Sequence, residues 1–485
     1  MQEERAAVAE QQAGAGSAPQ QGVKKHHGFS GKIGFVLAAA GSAVGLGNLW
    51  RFPYLAAKYG GGIFILCYII LAATVGITLL MLEIAIGRKT GKGVLGAFAA
   101  LNKKFKWLGF LCLVVPVIIV PYYCVIGGWV VKYIVAFLGG ASGLVASGGA
   151  AVDTDAYFTS FIADPWQPLV FFLIFAAATI FVFGVQKGIE RISKVLMPLL
   201  AVISVALMVY VLCQDGALEG VAYLFTPDFS QFGYETLLAA IGQLFYSLSL
   251  AMGIMITYGS YMKKDVSVPK SSLQIAICDS AFAIVAATII IPSIFAFSAS
   301  SDAAQNALGT SGPSLMFVQL PAVFNNLPGG RWIGAAFFIL VFFAALTSSI
   351  SLVEAIVAVL RENLHLKRWL SCLIVFGLVL VLGVLSSLGF GVLDGIHLEL
   401  PSGASYGILD MFDYLANSIL MPIVAICTCI LAGYFIDKNL IPDEIGLQKQ
   451  GMRVYFRVMV RYIAPVCMAI ILISGIVFNL ILPPL

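Results

Sequence analysis

The sequence predicts an all-α polytopic membrane protein of about eleven transmembrane helices, folded as a 5+5 inverted repeat whose helices 1 and 6 are broken. Three observations carry that prediction. Of 485 residues, 60% are hydrophobic and only 11% charged, where a soluble domain runs nearer half apolar and about a quarter charged. Eleven apolar segments each approach the roughly 20 residues that cross a bilayer as a helix. Two of these segments, five spans apart, carry glycine and hydroxyl clusters near mid-membrane. The composition excludes a water-soluble enzyme, a secreted disulfide scaffold and a fibrous or disordered chain. A net charge of +4 is too small to suggest a nucleic-acid partner.

Residues 1–27 are polar and end in Lys24, Lys25, His26 and His27. They lack the apolar core of a signal peptide and read as a mobile cytosolic arm. The apolar segments follow at 32–57, 62–87, 108–138, 168–185, 188–213, 236–262, 271–298, 333–361, 369–390, 408–436 and 456–481. Each is continuous rather than alternating. A strand reading fails because an open sheet leaves backbone groups unpaired in lipid. The chain divides into the arm, a ten-helix core at 28–436, and a cytosolic loop with the eleventh helix at 437–485. The nine cysteines form no C-x-x-C pair, so neither a disulfide framework nor a metal knuckle is indicated.

Charge sets the orientation. Of 28 Lys and Arg, only Arg51, Lys58, Lys132 and Arg331 fall on one side, which is instead rich in Asp and Glu. That side is the outside. The N-terminus is then cytoplasmic, and eleven spans put the C-terminus outside. No N-x-S/T sequon occurs, which points to the plasma (inner) membrane of a prokaryote.

The first span contains Gly41-Ser-Ala-Val-Gly45-Leu-Gly47-Asn48. Each glycine costs a helix about 1 kcal/mol against alanine. A G-x-x-x-G packing face would account for Gly41 and Gly45, but not for Gly47 and Asn48. An unwound stretch accounts for all four. The sixth span mixes Gly242, Gln243, Ser247, Ser249, Met252 and Gly253. An odd number of spans between two repeats reverses their orientation. Interrupted segments at matching places in inverted halves mark a carrier's binding site. Half-helix N-termini there favour an anion.

The stretch Gly41 to Tyr54, GSAVGLGNLWRFPY, closely resembles the first-helix signature of the neurotransmitter:sodium symporters. The resemblance continues through Tyr122-Tyr123, Gly242 to Met252, Asp279, Thr347-Ser348-Ser349 and Asp413. Eleven spans are similar to the bacterial members. The resemblance implies Na⁺-coupled uptake of an amino acid or amine by alternating access, and no enzymatic reaction. A G-x-S-x-G motif at 403–407 has no strand–turn–helix context and carries no hydrolase reading.

Three acids lie within spans, where each costs about 2.5–3.5 kcal/mol to insert: Glu83, Asp279 and Glu354. Asp279 reads as a cation ligand or a helix-to-helix hydrogen bond. The resemblance implies a first Na⁺ site from Ala43, Asn48, Ser247 and Asp279. It implies a second from Thr347 and Ser348 with the carbonyls of Gly41, Val44 and Ala344. Asp279 supplies its own negative charge, so chloride is not expected. Glu83 is implied as a partner for loose backbone, and Glu354 as structural or lining a water path.

The same resemblance implies the substrate pocket. The amides of Leu46 and Gly47, with Na⁺ and the Tyr123 hydroxyl, would hold a carboxylate. Carbonyls of Ala43, Tyr246 and Ser247, with Ser249 and Ser348 nearby, would accept from an ammonium. Amine-carrying relatives place Asp where this chain has Gly45, so the substrate brings its own carboxylate. Ile119, Ile126, Phe245, Met252 and Leu352 would line an apolar side-chain pocket for a large hydrophobic or aromatic amino acid. Arg51 and Asp413 are the implied outer gate, under which Tyr123 and Phe245 form a lid. Glu362 is the implied inner acid, its basic partner one of Lys24, Lys25 and His26. Gly188 to Pro198 resembles an unwinding element of bacterial members. The expected partners are an amino acid and the lipid bilayer, with no obligate protein partner.

Overall fold

The computed structural model describes residues 28–140, 144–145, 152–182, 186–298, 300–308, 313–327, 329–400 and 405–480. The arm at 1–27, with Lys24, Lys25 and His26, lies outside them. Among the described residues, eight helices are long and apolar enough to cross a bilayer: Gly62–Thr90, Lys103–Gly139, Gly188–Leu212, Val268–Phe297, Gly330–Asn363, Arg368–Leu388, Ile408–Phe435 and Gln450–Val477. They are spans 2, 3, 5 and 7 to 11. Two bent pairs supply spans 1 and 4: Lys32–Ala43 with Gly47–Lys58, and Thr154–Ala163 with Gln167–Phe181. Span 6 is made of Tyr234–Ser247 and Ile254–Ser260.

The ends agree with the charge pattern. Trp107 and Trp369, 51% and 64% exposed, open spans 3 and 9 beside Lys and Arg. Trp166 and Trp332, 74% and 64% exposed, open spans 4 and 8 at the acidic side. Indole rings favour the headgroup level, where one edge is apolar and the other wet. Span 8 is the most enclosed, with 78% of its apolar window buried, against 17% for span 11. The core therefore sits around spans 1, 3, 6 and 8.

The first break is narrower than the glycine cluster suggests. Helix runs to Ala43, Val44 is extended, and helix resumes at Gly47 with a 54° bend. Gly41 lies inside the helix. Span 6 stays helical through Gly242 and breaks between Ser247 and Ile254. Gly242 is thus not the opening of that break. A Cβ there would meet only Arg51 Nη2, at 3.7 Å. The break comes from Ser249 (φ 53°), Ala251 (φ 61°) and Gly253 (φ 74°), all left-handed. A non-glycine residue in that region costs about 1–2 kcal/mol, so the strain must be overcome by specific partners. Ala251 N donates to Glu83 Oε1 at 2.7 Å, and Ser249 Oγ donates to the Ser42 carbonyl at 3.0 Å. Glu83 therefore does take up loose backbone in the break.

Span 5 is one helix from Gln186 to Leu212, with Pro198 inside it. Gly188 to Pro198 is wound here, because the missing Pro198 N–H removes one bond and its neighbours keep theirs. Sequence reading also missed three short helices at the acidic end, Ala217–Phe225, Ser301–Leu308 and Leu320–Asn325, and the Thr154–Ala163 limb of span 4. They are too short for a spanning signal. The hairpin of Leu398–Glu399 and Ser405–Tyr406 holds Ser405 exposed. Gly403 lies outside the described residues.

The basic end is closed by side chains. Phe29 packs edge-on against Phe35, Tyr258 and Tyr261. Glu354 pairs with Arg368 at 2.6 Å and accepts from the Tyr261 hydroxyl at 3.1 Å, contacts that fit the structural one of its two expected roles. Glu444 bonds Arg88 Nε and Lys264 Nζ, each at 2.7 Å, so the loop after span 10 is fastened to span 2. Burial pushes the Glu444 carboxyl up, but Lys264 and Arg88 outweigh it and hold it below its ordinary value.

Candidate functional site

Both breaks face each other, and Asp279 of span 7 closes the space between them. Asp279 is fully buried. Its Oδ1 accepts from Asn48 Nδ2 and Ser247 Oγ, each at 2.8 Å. Its Oδ2 accepts from the Tyr68 hydroxyl at 2.8 Å. Asn48 Nδ2 also lies 3.1 Å from Ser247 Oγ and 3.2 Å from the Asp279 carbonyl. Asn48 Oδ1 accepts from Gly45 N at 3.0 Å. A buried carboxylate, a hydroxyl, a carbonyl and an amide are the hard oxygen donors that Na⁺ prefers. In this structure Asn48 turns its Nδ2 to Asp279, and its Oδ1, the atom a cation would need, to Gly45 N.

A second cluster lies under the first break. Ser348 Oγ is 3.0 Å from the Ser42 carbonyl, 3.2 Å from that of Val44 and 3.5 Å from that of Gly41. Thr347 Oγ1 donates back to the carbonyls of Phe343 and Ala344, at 3.0 and 3.1 Å. Ser348 thus joins span 8 to the carbonyls of Gly41 and Val44, while the Thr347 hydroxyl is bonded back into its own helix, at Phe343 and Ala344.

Between the clusters lies a small pocket with about 20 Å³ of free space. Ala43, Gly45, Leu46, Gly47, Tyr123, Tyr246, Ser247, Ser249 and Ser348 supply its polar side. Ile119, Met252 and Leu352 line its apolar side, as expected, and Ser42 and Ile254 join them. Two expected lining residues do not. Ile126 is buried elsewhere; it stands seven residues past Ile119, about 10 Å further along the helix. Phe245 faces the outer vestibule, on the other side of Tyr246. The Leu46 amide donates to the Tyr123 hydroxyl at 3.2 Å, so those two groups meet each other where both were expected to meet a carboxylate. A Cβ on Gly45 would stand 2.6 Å from Ser348 Oγ and 2.9 Å from the Tyr123 hydroxyl.

Above the pocket an open vestibule of about 690 Å³ is lined by Arg51, Phe245, Tyr246 and Asn417. The Arg51 guanidinium stacks on the Tyr246 ring at 5.5 Å. Asp413 accepts from the Tyr122 hydroxyl at 3.0 Å and from Asn417 Nδ2 at 2.5 Å. Among the described residues Arg51 and Asp413 form no ion pair; the charges sense each other across a gap. Glu362 accepts from Gly93 N at 2.7 Å, and the expected candidates for its basic partner, Lys24, Lys25 and His26, lie outside the described residues.

The description "Sodium:neurotransmitter symporter family" matches residues 26–141 and 162–481. The chain belongs to the sodium:neurotransmitter symporter family. The symporter is 34% identical to the uncharacterized sodium-dependent transporter YhdH of Bacillus subtilis, over 92% of this chain and 97% of that one. It is 29% identical to an uncharacterized sodium-dependent transporter of Haemophilus influenzae, over 93% and 99%. Its fold is similar to the crystal structure of MhsT in complex with L-phenylalanine, with a TM-score of 0.82 and 36% identity, covering 93% of this chain and 100% of that one.

The symporter is a multi-pass secondary transporter, not an enzyme, and it uses Na⁺. Its fold is the inverted-repeat architecture with broken helices 1 and 6. Sequence reasoning missed Tyr68, Tyr122, Ser42 and Ile254 as members of the site. Tyr68 is the one tyrosine in the apolar run 62–87, and that isolation was its only signal.

Proposed function

We propose that this symporter imports a hydrophobic or aromatic α-amino acid together with Na⁺ at two sites, without a need for chloride. The observation that carries the reading is Asp279, fully buried and bonded to Asn48 and Ser247 of the two broken helices, beside an apolar pocket of Ile119, Met252 and Leu352. A carboxylate at that place supplies the negative charge that chloride would otherwise bring. MhsT, which was solved with L-phenylalanine, supports the substrate class.

In this reading the first Na⁺, a co-transported substrate, is held by Ala43, Asn48, Ser247 and Asp279, and the second by Gly41, Val44, Ala344, Thr347 and Ser348. The amino acid's carboxylate displaces the bond between Leu46 N and Tyr123, and takes both donors. Its ammonium faces the carbonyls of Ala43, Tyr246 and Ser247. Arg51 leaves the Tyr246 ring for Asp413 to close the outside. Glu362 and the basic end of the arm at 1–27 form the inner gate. The ten-helix core at 28–436 carries transport, with the N-terminus cytoplasmic and the C-terminus outside, in a prokaryotic plasma membrane.

The test is binding of a labelled amino-acid panel to the purified protein, with Na⁺, with K⁺ in its place, and with gluconate replacing chloride. Leu, Phe or Trp should bind in Na⁺ and gluconate but not in K⁺. Binding confined to small polar amino acids would overturn the substrate class, and loss of binding in gluconate would overturn chloride independence.

A further inference from the structure

A narrow cleft between spans 10 and 11 opens at the basic end, and its lining shares no residue with the Asp279 site. Lys438, Arg457 and Arg461 line it, with Asp437, Ile441 and Phe456. Arg457 and Arg461 stand four residues apart on one helix, so both point to the same face. Arg461 is fixed: its Nε donates to the Gly433 carbonyl at 2.7 Å, and its guanidinium stacks on Tyr434 at 4.7 Å. Arg457 is not. Its Nε is buried and has no hydrogen-bond acceptor among the described residues. Lys438 makes no ion pair among them either. The Asp437 carboxylate is engaged with the Asn439 amide at 2.7 Å.

A buried guanidinium N–H without an acceptor is costly. Three cations border this open cleft with one engaged acid, a setting for an anion of more than one negative oxygen at its mouth. Guanidinium forks fit phosphate. The surroundings decide the source. Tyr434, Phe435 and Tyr462, each at least 51% exposed, stand on the adjoining lipid-facing surface, and Val458 is 40% exposed. Such a surface suits acyl chains, and basic pockets between spans on the cytoplasmic side recognise lipid headgroups. We infer that this pocket binds the phosphate of an anionic phospholipid, which would hold spans 10 and 11 together at the inner leaflet.

The experiment is native mass spectrometry of the full chain with dioleoyl phosphatidylglycerol or dioleoyl phosphatidylcholine. The wild type should retain phosphatidylglycerol preferentially. Arg457→Gln and Lys438→Gln should each weaken that retention about five-fold, the weight of one basic residue near a membrane surface. Arg457→Lys should keep most of it. Lys449→Gln, an exposed lysine outside the pocket, should leave it unchanged. Lys438 is exposed, so its variant reads the site even if Arg457→Gln fails to fold. Equal retention of both lipids, or equal retention by wild type and Lys438→Gln, would overturn the assignment. Displacement of bound phosphatidylglycerol by millimolar inorganic phosphate would show that a free anion is the occupant, and would overturn the lipid.

Discussion

The side-chain amide of Asn48 donates to Asp279 Oδ1 at 2.8 Å, although 231 residues separate the two. One broken helix is thereby tied to span 7 through a charge at mid-membrane. Removing one partner of a buried hydrogen bond leaves the other unsatisfied, which costs about 1–3 kcal/mol, and more where the group left is a carboxylate. Asp279→Ala and Asn48→Ala should therefore each abolish Na⁺-dependent substrate binding at ordinary Na⁺ concentrations. Equilibrium binding across a Na⁺ titration checks this; an unchanged Na⁺ midpoint in either variant would remove that residue from the cation site. Asp279→Asn keeps the shape and loses the charge, so its Na⁺ affinity should fall in gluconate and recover when chloride is added.

Gly45 packs span 1 directly against Tyr123 of span 3 and Ser348 of span 8. A methyl group there would meet Ser348 Oγ at 2.6 Å and the Tyr123 hydroxyl at 2.9 Å. Overpacking of this kind costs about 1–3 kcal/mol. Gly45→Ala should weaken substrate binding by at least about five-fold by moving the two hydroxyls that line the pocket. The same glycine leaves no acid to meet an amine. Tryptamine should then fail to displace a bound aromatic amino acid. Equal competition by tryptamine and tryptophan would mean that the carboxylate plays no part.

The fold was legible because lipid leaves few options. Span count, inside-out charge and the two breaks all follow from hydropathy, Lys and Arg placement, and misplaced glycines. The details of the breaks were not. Gly41 and Gly242 look like breakers in the sequence, yet both lie in helix. The left-handed residues include Ser249 and Ala251, whose conformations are imposed by Glu83 and Ser42 from other spans. No local signal encodes such an imposed turn. Tyr68 was invisible for the same reason: its role exists only through Asp279. Ile126 was misplaced because spacing gives a face of a helix but not a depth along it.

The Glu444 clamp predicts a pH dependence. Its carboxyl is held below the ordinary value of 4.5 by Lys264 and Arg88, against the upward push of burial. A depressed carboxyl stabilises the folded state above the unfolded value and loses that contribution as pH falls through the folded value. The difference in melting temperature between wild type and Glu444→Gln should be constant at neutral pH and shrink below 4.5. A difference that persists undiminished at lower pH would show that Glu444 acts by packing rather than charge.

Arg51 and Asp413 offer the sharpest test of the gate. Arg51 now rests on the Tyr246 ring, and Asp413 is held by Tyr122 and Asn417. Each charge has a temporary partner, so an Arg51–Asp413 bond made only on closure would favour the closed state, since only contacts that differ between two states shift their populations. The cation–π contact given up is worth about 0.5–1 kcal/mol at an exposed site, and a partly hydrated ion pair about the same. The two states are then nearly balanced, which suits a gate that must open again. Arg51→Ala and Asp413→Ala should each slow uptake, and the double variant should lose less than the sum of the two. Strictly additive losses in that double-mutant cycle would mean that the residues act separately, and that closure is achieved by other contacts.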